Sequence, residues 1–346
     1  ADRTYKEALK QAKINEKDIR AIAISNAPGL APCLIEGLKF AKKLAEKLKI
    51  PLIPVNHCIA HLEIGKITGA KNPVMLYISG ANTQIIAYKA GKYRIFGETL
   101  DMGVGNFIDS FARYLGVGFP GGPKIEQLAK QSQNYIELPY TVKGMDIALS
   151  GILTNLRQKI ERMNDNLIHP THPPTNLRSQ NAHELIASKS TLLDFSSKDN
   201  VNSGNFIMLN NKLSQKFSIS NNNKKSSITN YTAADLCFSM QETVFAMLIE
   251  VAERALAHTG KKELLLGGGV ACNKRLQEMA GIMSDEREQK VKLFVPENQF
   301  LVDNAAMIGF LGEKMFKSGD YIKVKDIDKV DILPRQRTDD VDVKWK

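Results

Sequence analysis

The sequence predicts an α/β fold, and three features support this prediction. Short apolar strands alternate with amphipathic helices in the first sixty residues, joined by turns that contain Gly or Pro. A meander of strands follows within residues 73–101, and a long amphipathic helical pattern at 232–260 leads into another strand. The composition is that of a globular chain, because 43% of the 346 residues are hydrophobic and 24% are charged.

The first fifty residues predict the order helix, strand, helix. Residues 4–14 have a helical composition, and "IRAIAIS" at Ile19–Ser25 is typical of a buried strand. A Gly/Pro turn precedes a second helix, which ends in the lysines of Phe40–Ile50. The strand "IPLIPVN" then runs into His57 and His61. These units favour a largely parallel sheet.

The formal net charge is +10, and residues 1–50 hold 11 Lys and Arg against 6 Asp and Glu. A solvated helix face and a phosphate-contacting surface for nucleic acid both account for this excess. We predict no membrane span, because the apolar runs are shorter than the roughly 18 residues required. The four cysteines form no CxxC pair, which argues against a zinc ribbon and favours a reduced, cytoplasmic protein.

Residues 160–230 interrupt this pattern and are rich in Asn and Ser. We interpret them as an inserted, mostly disordered loop. Three histidines fall inside it, His169, His172 and His183. HxxH spacing can bind a metal, but a solvated loop is the preferred interpretation.

His57 and His61 are four residues apart, so on a helix both imidazoles face the same side and can reach one cation. The spacing alone is more often coincidence than a metal site. A metalloprotease of the HExxH type needs Glu directly after the first His, and here that residue is Cys58. Glu63 lies beyond the second His, so the protease hypothesis is disfavoured.

Three Gly-containing turns could approach a phosphate or a nucleoside: "YISGANT" at Tyr77–Thr83, "GFPGGPKIE" at Gly118–Glu126 and "LLLGGGVACNKRL" at Leu264–Leu276. The third precedes a helix whose N-terminus would attract an anion. None matches GxxxxGK[ST] or GxGxxG. Each turn by itself fits a tight connection equally well.

Three acids accompany these turns. Asp109 and Glu126 could accept hydrogen bonds from ribose hydroxyls, but singly each is better explained as a capping or surface acid. Asp303 stands just before an apolar helix, where N-capping would explain it without any function.

Taken in order, the motifs are more specific. The set "NHCIAH", "YISGANTQ", "FGETLDMGVGNFIDSFAR", "GFPGGPKIE", "LPYTVKGMDIALSG", "FSMQETVFAML", "GGGVACNKRL" and "VDNAAMIG" resembles the universal tRNA adenosine threonylcarbamoyltransferase family. Together with the ending "RQRTDDVDVKW", it resembles the archaeal and eukaryotic branch, the catalytic subunit of the KEOPS complex. An older name for this family is O-sialoglycoprotein endopeptidase. The resemblance covers nearly the whole chain outside the Asn/Ser-rich insert.

The resemblance implies an actin-like, sugar-kinase-like ATPase fold with two lobes around a nucleotide cleft. Residues 1–72 would form the first lobe and 73–302 the second, with the insert at 160–230. Residues 303–330 would be a helical segment that packs back on the cleft, and 331–346 a tail. The family's opening strand and turn are not found before Ala1, so we expect an incomplete sequence without its N-terminal strands.

The implied reaction transfers a threonylcarbamoyl group from threonylcarbamoyl-adenylate to N6 of the adenosine 3′ of the anticodon, in tRNAs that read codons beginning with A, and releases AMP. The implied metal ligands are His57, His61, Tyr77 and Asp303, holding one iron or zinc ion per subunit. The adenylate, or ATP, would be bound by Tyr77, Ile78, Ser79, Gly80, Ala81, Asp109, Gly122, Glu126 and Asn273. No residue is identified as a general base.

The implied partners are tRNA and the other KEOPS subunits, which are a kinase-like ATPase, a dimerising subunit and a tRNA-binding subunit. Ala81 departs from the family's SGGNT turn and fits only if its φ angle is not strongly positive. Two alternatives remain at this stage. The chain could be a nucleotide-binding scaffold of the same complex with impaired catalysis, or, less in keeping with Cys58, a metalloprotease.

Overall fold

The structure is a computed structural model that describes residues 2–168 and 231–346. The side chains of residues 165–168 are outside this description, and so are His169, His172 and His183. Residues 160–168, the first part of the predicted insert, are helical and not a loop, because the helix that starts at Ser150 continues to Ile168. Ile152, Leu156 and Ile160 are all buried at four-residue spacing, so the buried stripe of this helix reaches the first residue of the predicted insert. The rest of the predicted disordered loop lies outside the described residues.

The strands of the described residues form two parallel or mixed sheets and one short hairpin. They are β1 (Ile22–Ala27), β2 (Leu52–Asn56), β3 (Val74–Ile78), β4 (Thr83–Lys89), β5 (Lys92–Glu98), β6 (Val142–Lys143), β7 (Asp146–Ile147), β8 (Glu263–Gly267) and β9 (Lys292–Phe294).

The helices of the described residues range in length from four to 27 residues. They are α1 (Asp2–Ala12), α2 (Ala31–Leu48), α3 (His57–Gly65), α4 (Val104–Tyr114), α5 (Gly121–Ala129), α6 (Ser150–Ile168), α7 (Ala233–Thr259), α8 (Lys274–Glu286), α9 (Asn298–Leu301) and α10 (Ala305–Lys317).

The larger sheet has the strand order β5-β4-β3-β8-β9. Its first three strands are antiparallel and form the predicted meander, whereas β3, β8 and β9 are parallel. The expectation of a largely parallel sheet is therefore right for β1–β2 and for one half of the larger sheet only. Tight turns after Ile78 and at Ala90–Gly91 reverse the chain at short range, which produces the antiparallel half.

Helix α7 is the central buried helix and confirms the pattern predicted at 232–260. Thr232 caps its start in a capping box with Asp235, and Gly260 ends it with φ 67°. Its buried side chains join those of β3, α4 and α6 in the main hydrophobic core.

The carboxyl ends of β3 and β8 are adjacent, because Tyr77 pairs with Gly267 in the parallel register. The two Gly-containing turns that follow these strands therefore meet at one edge of the sheet. Within the described residues, no helix is long and apolar enough to cross a membrane.

Candidate metal and nucleotide site

Helix α3 places the two histidines of the motif one turn apart. It starts because the side-chain oxygen of Asn56 accepts hydrogen bonds from the backbone N–H groups of Cys58 and Ile59, at 3.0 and 3.2 Å. All of its residues from Cys58 to Gly65 are buried. His57, at the first position, is the residue of this helix that reaches partway to solvent.

Asp303 lies against both histidines. Its Oδ1 atom is 3.2 Å from Nε2 of His57 and 3.0 Å from Nε2 of His61. The ligand atoms of the three residues all lie within 4.8 Å of one another. The side chain of His61 is fully buried, that of His57 is 23% exposed and that of Asp303 is 76% exposed, so the cluster opens to solvent on the Asp303 side.

Asp303 is not the N-cap of α10, which corrects the capping explanation. The cap is Asn304, whose side-chain oxygen accepts a hydrogen bond from the N–H of Met307 at 2.9 Å. Because Asn304 satisfies the helix start, the carboxylate of Asp303 turns toward α3 instead.

The electrostatics of the cluster keep one acid charged and one imidazole neutral. Hydrogen bonds from His57 and His61 hold the pKa of Asp303 well below its ordinary value. Burial lowers the pKa of His61, although its hydrogen bond with Asp303 opposes that effect. A neutral imidazole and an ionised carboxylate are the protonation states that a metal ligand requires.

This donor set fits a divalent transition metal. Two imidazole nitrogens and one carboxylate oxygen suit zinc or iron, and an open side leaves room for a substrate oxygen. With metal–ligand bonds of about 2.1 Å, neighbouring ligand atoms lie about 3.0–3.4 Å apart. The two observed separations of 3.0 and 3.2 Å agree with such spacing.

Tyr77, the fourth implied ligand, is the next-to-last residue of β3 and lies beside this cluster. Its ring centroid lies 5.1 Å from that of His61, and its side chain is 1% exposed. Burial raises the pKa of its hydroxyl well above the ordinary value, and the charge on Asp303 adds to the effect. Nδ1 of His61 has no hydrogen-bond partner among the described residues, so Tyr77 packing and Asp303 orient the ring.

The turn after β3 is held tightly against the start of α4. The N–H of Ser79 donates to the carbonyl of Asn82 at 2.8 Å, and the N–H groups of Gly105 and Asn106 donate to the carbonyls of Ser79 and Gly80. A Cβ at Gly103 would lie 2.5 Å from the Gly80 carbonyl oxygen, so only glycine fits there. Positive φ among the described non-glycine residues occurs at Lys13, Lys49 and Ala90, which leaves position 81 compatible with alanine.

The predicted nucleoside-binding residues lie near the starts of α5 and α8. Asp109 accepts a hydrogen bond from the N–H of Gly121 at 2.8 Å, so it supports the start of α5 near Gly122. Glu126 accepts a long hydrogen bond of 3.4 Å from the N–H of Lys274, at the start of α8.

Asn273, the residue before Lys274, caps α8. Capping is thus part of the explanation for Asp109, as the sequence suggested, while Glu126 lies at the junction of α5 and α8.

Comparison with known proteins identifies the family. The model of the family described as tRNA N6-adenosine threonylcarbamoyltransferase matches residues 1–310. The chain belongs to this family. It is 43% identical to the tRNA N6-adenosine threonylcarbamoyltransferase of Thermococcus sibiricus over 340 residues, covering 98% of this chain and 83% of that one. The probable enzyme of Drosophila melanogaster is 40% identical over 342 residues, covering 98% and 82%.

A relative with two activities in its name also matches. The chain is 43% identical over 337 residues to a probable bifunctional tRNA threonylcarbamoyladenosine biosynthesis protein of Methanosarcina mazei. The match covers 97% of this chain and 48% of the Methanosarcina protein. Among solved structures, HypF of T. kodakarensis shares the fold at a TM-score of 0.50 and 12% identity, over 84% of this chain and 40% of that one.

Membership of the threonylcarbamoyltransferase family confirms the predicted actin-like α/β fold class and the expected resemblance. The lobe boundaries at residues 72 and 302 and the roles given to individual site residues stay predictions. The geometry brings His57, His61 and Asp303 together, with Tyr77 adjacent.

Sequence reasoning missed how the family's C-terminal segment contacts the site. The carbonyl of Asp331 accepts a hydrogen bond from Asn26 at the end of β1. Gln336 accepts one of 3.0 Å from Asn56, the cap of the histidine helix. The hydroxyl of Thr338 is 3.1 Å from the side-chain oxygen of Gln84 on β4. The motif "RQRTDD" marked this C-terminal segment in the sequence, but no periodicity indicates which elements such a segment contacts.

Proposed function

We propose that this chain transfers the threonylcarbamoyl group from threonylcarbamoyl-adenylate to N6 of the adenosine 3′ of the anticodon, in tRNAs that read codons beginning with A. AMP is the second product. The observation that carries the proposal is the position of the cluster of His57, His61 and Asp303 beside Tyr77, the residue that leads into the turn at residues 78–81. A cation and a phosphate-sized turn side by side suit an acyl-adenylate.

The chain's own residues bind and orient the adenylate in this proposal. The backbone of residues 78–81, fixed by Ser79 and by α4, faces the phosphate. Asp109 and Glu126 accept hydrogen bonds from the ribose hydroxyls. Both carboxylates already accept backbone N–H groups, which holds them in place before the substrate arrives.

His57, His61 and Asp303 would hold a divalent ion, iron or zinc, with Tyr77 as a fourth ligand. When bound, this ion supplies Lewis acidity toward the carbamoyl carbonyl or the phosphate. The N6 amine attacks the carbamoyl carbon, the bond from that carbon to the phosphate oxygen breaks, AMP leaves with the electron pair, and one proton of the amine passes to water. Because the exocyclic amine is a poor nucleophile, correct positioning supplies much of the rate.

The proposal extends to partners and to location. The lysines of α2 lie on the face opposite its buried residues, and they offer a phosphate-contacting surface for tRNA. The partners would be the KEOPS subunits: a kinase-like ATPase, a dimerising subunit and a tRNA-binding subunit. All four cysteines carry free thiols, which suits the reducing cytoplasm.

The test is a transfer assay with the full chain, its partner subunits, synthetic threonylcarbamoyl-adenylate and a tRNA that reads codons beginning with A. Modified nucleoside is measured by mass spectrometry after digestion, and AMP by chromatography. We expect the two products in equal amounts, and none with a tRNA that lacks adenosine at that position. Adenylate binding without modified nucleoside would overturn the proposal and favour a catalytically impaired scaffold.

The metal part of the proposal has its own variants. Asp303→Ala, or His57→Ala with His61→Ala, should lower bound iron or zinc at least about tenfold, because each removes ligands from the cluster. Lys317→Met is the matched control, since Lys317 makes an exposed pair with Glu313 on α10. Unchanged metal content in the histidine double variant would contradict the assignment of the site.

A further inference from the structure

A second cluster of charged side chains surrounds the buried Glu63 of α3. Glu63 is 1% exposed, and both of its carboxylate oxygens have partners. Oε1 accepts hydrogen bonds from Nζ of Lys66, at 2.6 Å, and from the hydroxyl of Tyr93. Oε2 accepts one from Nζ of Lys314 at 2.7 Å. We call these four residues the Glu63 network.

We infer that the Glu63 network positions the metal ligands by fixing α10 against α3, an inference that rests on the metal site proposed above. Glu63 is on the helix that carries His57 and His61, and Lys314 is on α10, which follows Asp303 and the cap residue Asn304. Nothing in the network touches a ligand atom. Its members are therefore positioning residues and not catalytic ones.

The geometry makes the position of Asp303 sensitive to this ion pair. Helix α10 lies close to β1 at Gly312, where an added Cβ would be 2.5 Å from the Cβ of Ala23. Lys314 lies about 14 Å along the helix from Ala305, at 1.5 Å per residue. A rotation of α10 by about 4° about its Lys314 end would therefore move Asp303 by about 1 Å. Ligand distances in metal sites are held within about 0.2 Å, so such a shift would weaken binding.

A purely structural role explains the network less well. Buried ion pairs are often no more stabilising than apolar side chains of the same volume, because removing two charges from water is costly. Three polar partners around a single carboxylate instead fix direction, since each hydrogen bond constrains the orientation of the group. Tyr93, which is 0% exposed, also ties α3 to β5 and so fixes the helix from a second side.

The test measures metal affinity on the full chain, by competition of Co²⁺ with a chromophoric chelator, together with the visible spectrum of bound Co²⁺. Lys314→Met removes one partner, and the double variant Glu63→Gln with Lys314→Met removes both charges of the Glu63–Lys314 pair. We expect both to bind Co²⁺ about 10–100-fold more weakly, with an altered spectrum. Lys314→Arg should stay within about threefold of the wild type, because the charge–charge contact persists.

Two controls separate this inference from stability and from the site itself. Lys317→Met, three residues further along α10 in an exposed pair, should leave affinity and spectrum unchanged. If Lys314→Met does not fold, the double variant and Tyr93→Phe, with an expected loss of about threefold, carry the test. A folded double variant with wild-type affinity and spectrum would overturn the inference. Absence of Co²⁺ binding by the wild-type chain would instead overturn the proposed metal site.

Discussion

At Gly268 a single added methyl group should disturb the edge of the sheet where β3 and β8 end. It follows β8 with φ 87° and ψ 158°, a backbone conformation essentially restricted to glycine. A Cβ there would lie 2.5 Å from the carbonyl carbon of Ile78 and closer still to its oxygen. Because Ile78 begins the turn predicted to face the phosphate, Gly268→Ala tests both the backbone and the packing of the two turns.

The expected cost is the sum of two effects. Forcing alanine into this backbone region costs about 1–3 kcal/mol. Relieving the contact with β3 requires a backbone shift, which costs about another 1–3 kcal/mol. We therefore expect the free energy of unfolding to fall by about 4 kcal/mol. For a domain of this size that corresponds to about 10 °C in Tm.

The assay is urea unfolding followed by circular dichroism, with thermal unfolding as a second measurement. Gly281→Ala, in α8, is the matched control, because no atom lies within 4 Å of its added Cβ and its φ is not positive. That substitution should stabilise the chain by about 0.5–1 kcal/mol through helix propensity. An unfolding midpoint of Gly268→Ala equal to that of the wild type would refute the proposed backbone and its contact with Ile78.

Two further predictions concern a helix cap and the thiols. Asp101 accepts hydrogen bonds from the backbone N–H groups at the start of α6, so Asp101→Ala should cost about 1–2 kcal/mol in urea unfolding. Burial raises the pKa of Asp101, but these hydrogen bonds outweigh it and lower the pKa. The stabilisation by the Asp101 carboxylate is therefore complete above its unfolded pKa of about 3.9, and it is lost as the pH falls through its lower pKa in the folded state. Asp101→Asn should lack this pH dependence of the free energy of unfolding. The same pH dependence in Asp101→Asn and the wild type would contradict the prediction. With Ellman's reagent, the exposed thiol of Cys33 should react in the native state. The buried thiols of Cys58 and Cys237 should react only after unfolding, and burial raises the pKa of Cys58 to about 11. Labelling of Cys58 in the native state would contradict its burial.

The sequence predicts most accurately those elements whose signals are local. The helix at 232–260 carries its own start and stop residues, Thr232 and Gly260, and the structure confirms both. The meander is likewise encoded by short turns between apolar runs. The end of α6 was missed because Asn164 and Asn166 give it an Asn-rich composition that suggests a loop.

Contacts between distant segments could not be predicted in the same way. Glu63 and Lys314 are 251 residues apart, and each looks like an ordinary charged residue of an amphipathic helix. The pairing of Gln336 with Asn56 spans 280 residues. Periodicity shows which side of a helix is buried, but it does not show which polar group of another element a buried charged side chain will contact.

The cluster and the nucleoside residues differ in how free they are to bind a ligand. At both helix starts of the metal cluster an asparagine does the capping: Asn56 precedes His57, and Asn304 follows Asp303. The side chains of His57 and Asp303 therefore do not cap a helix, and they point toward each other. Sequence rules could not separate the two roles at 303–304, since either residue is a good cap.

Asn273 is in the opposite situation. Its side-chain oxygen accepts hydrogen bonds from the N–H groups of Arg275 and Leu276, and its amide donates to Gln241 at 2.7 Å. The amide nitrogen carries two N–H donors, so one of them stays available to a further acceptor while the other is held by Gln241. In the observed geometry Asn273 therefore caps α8 and also fixes the loop between β8 and α8.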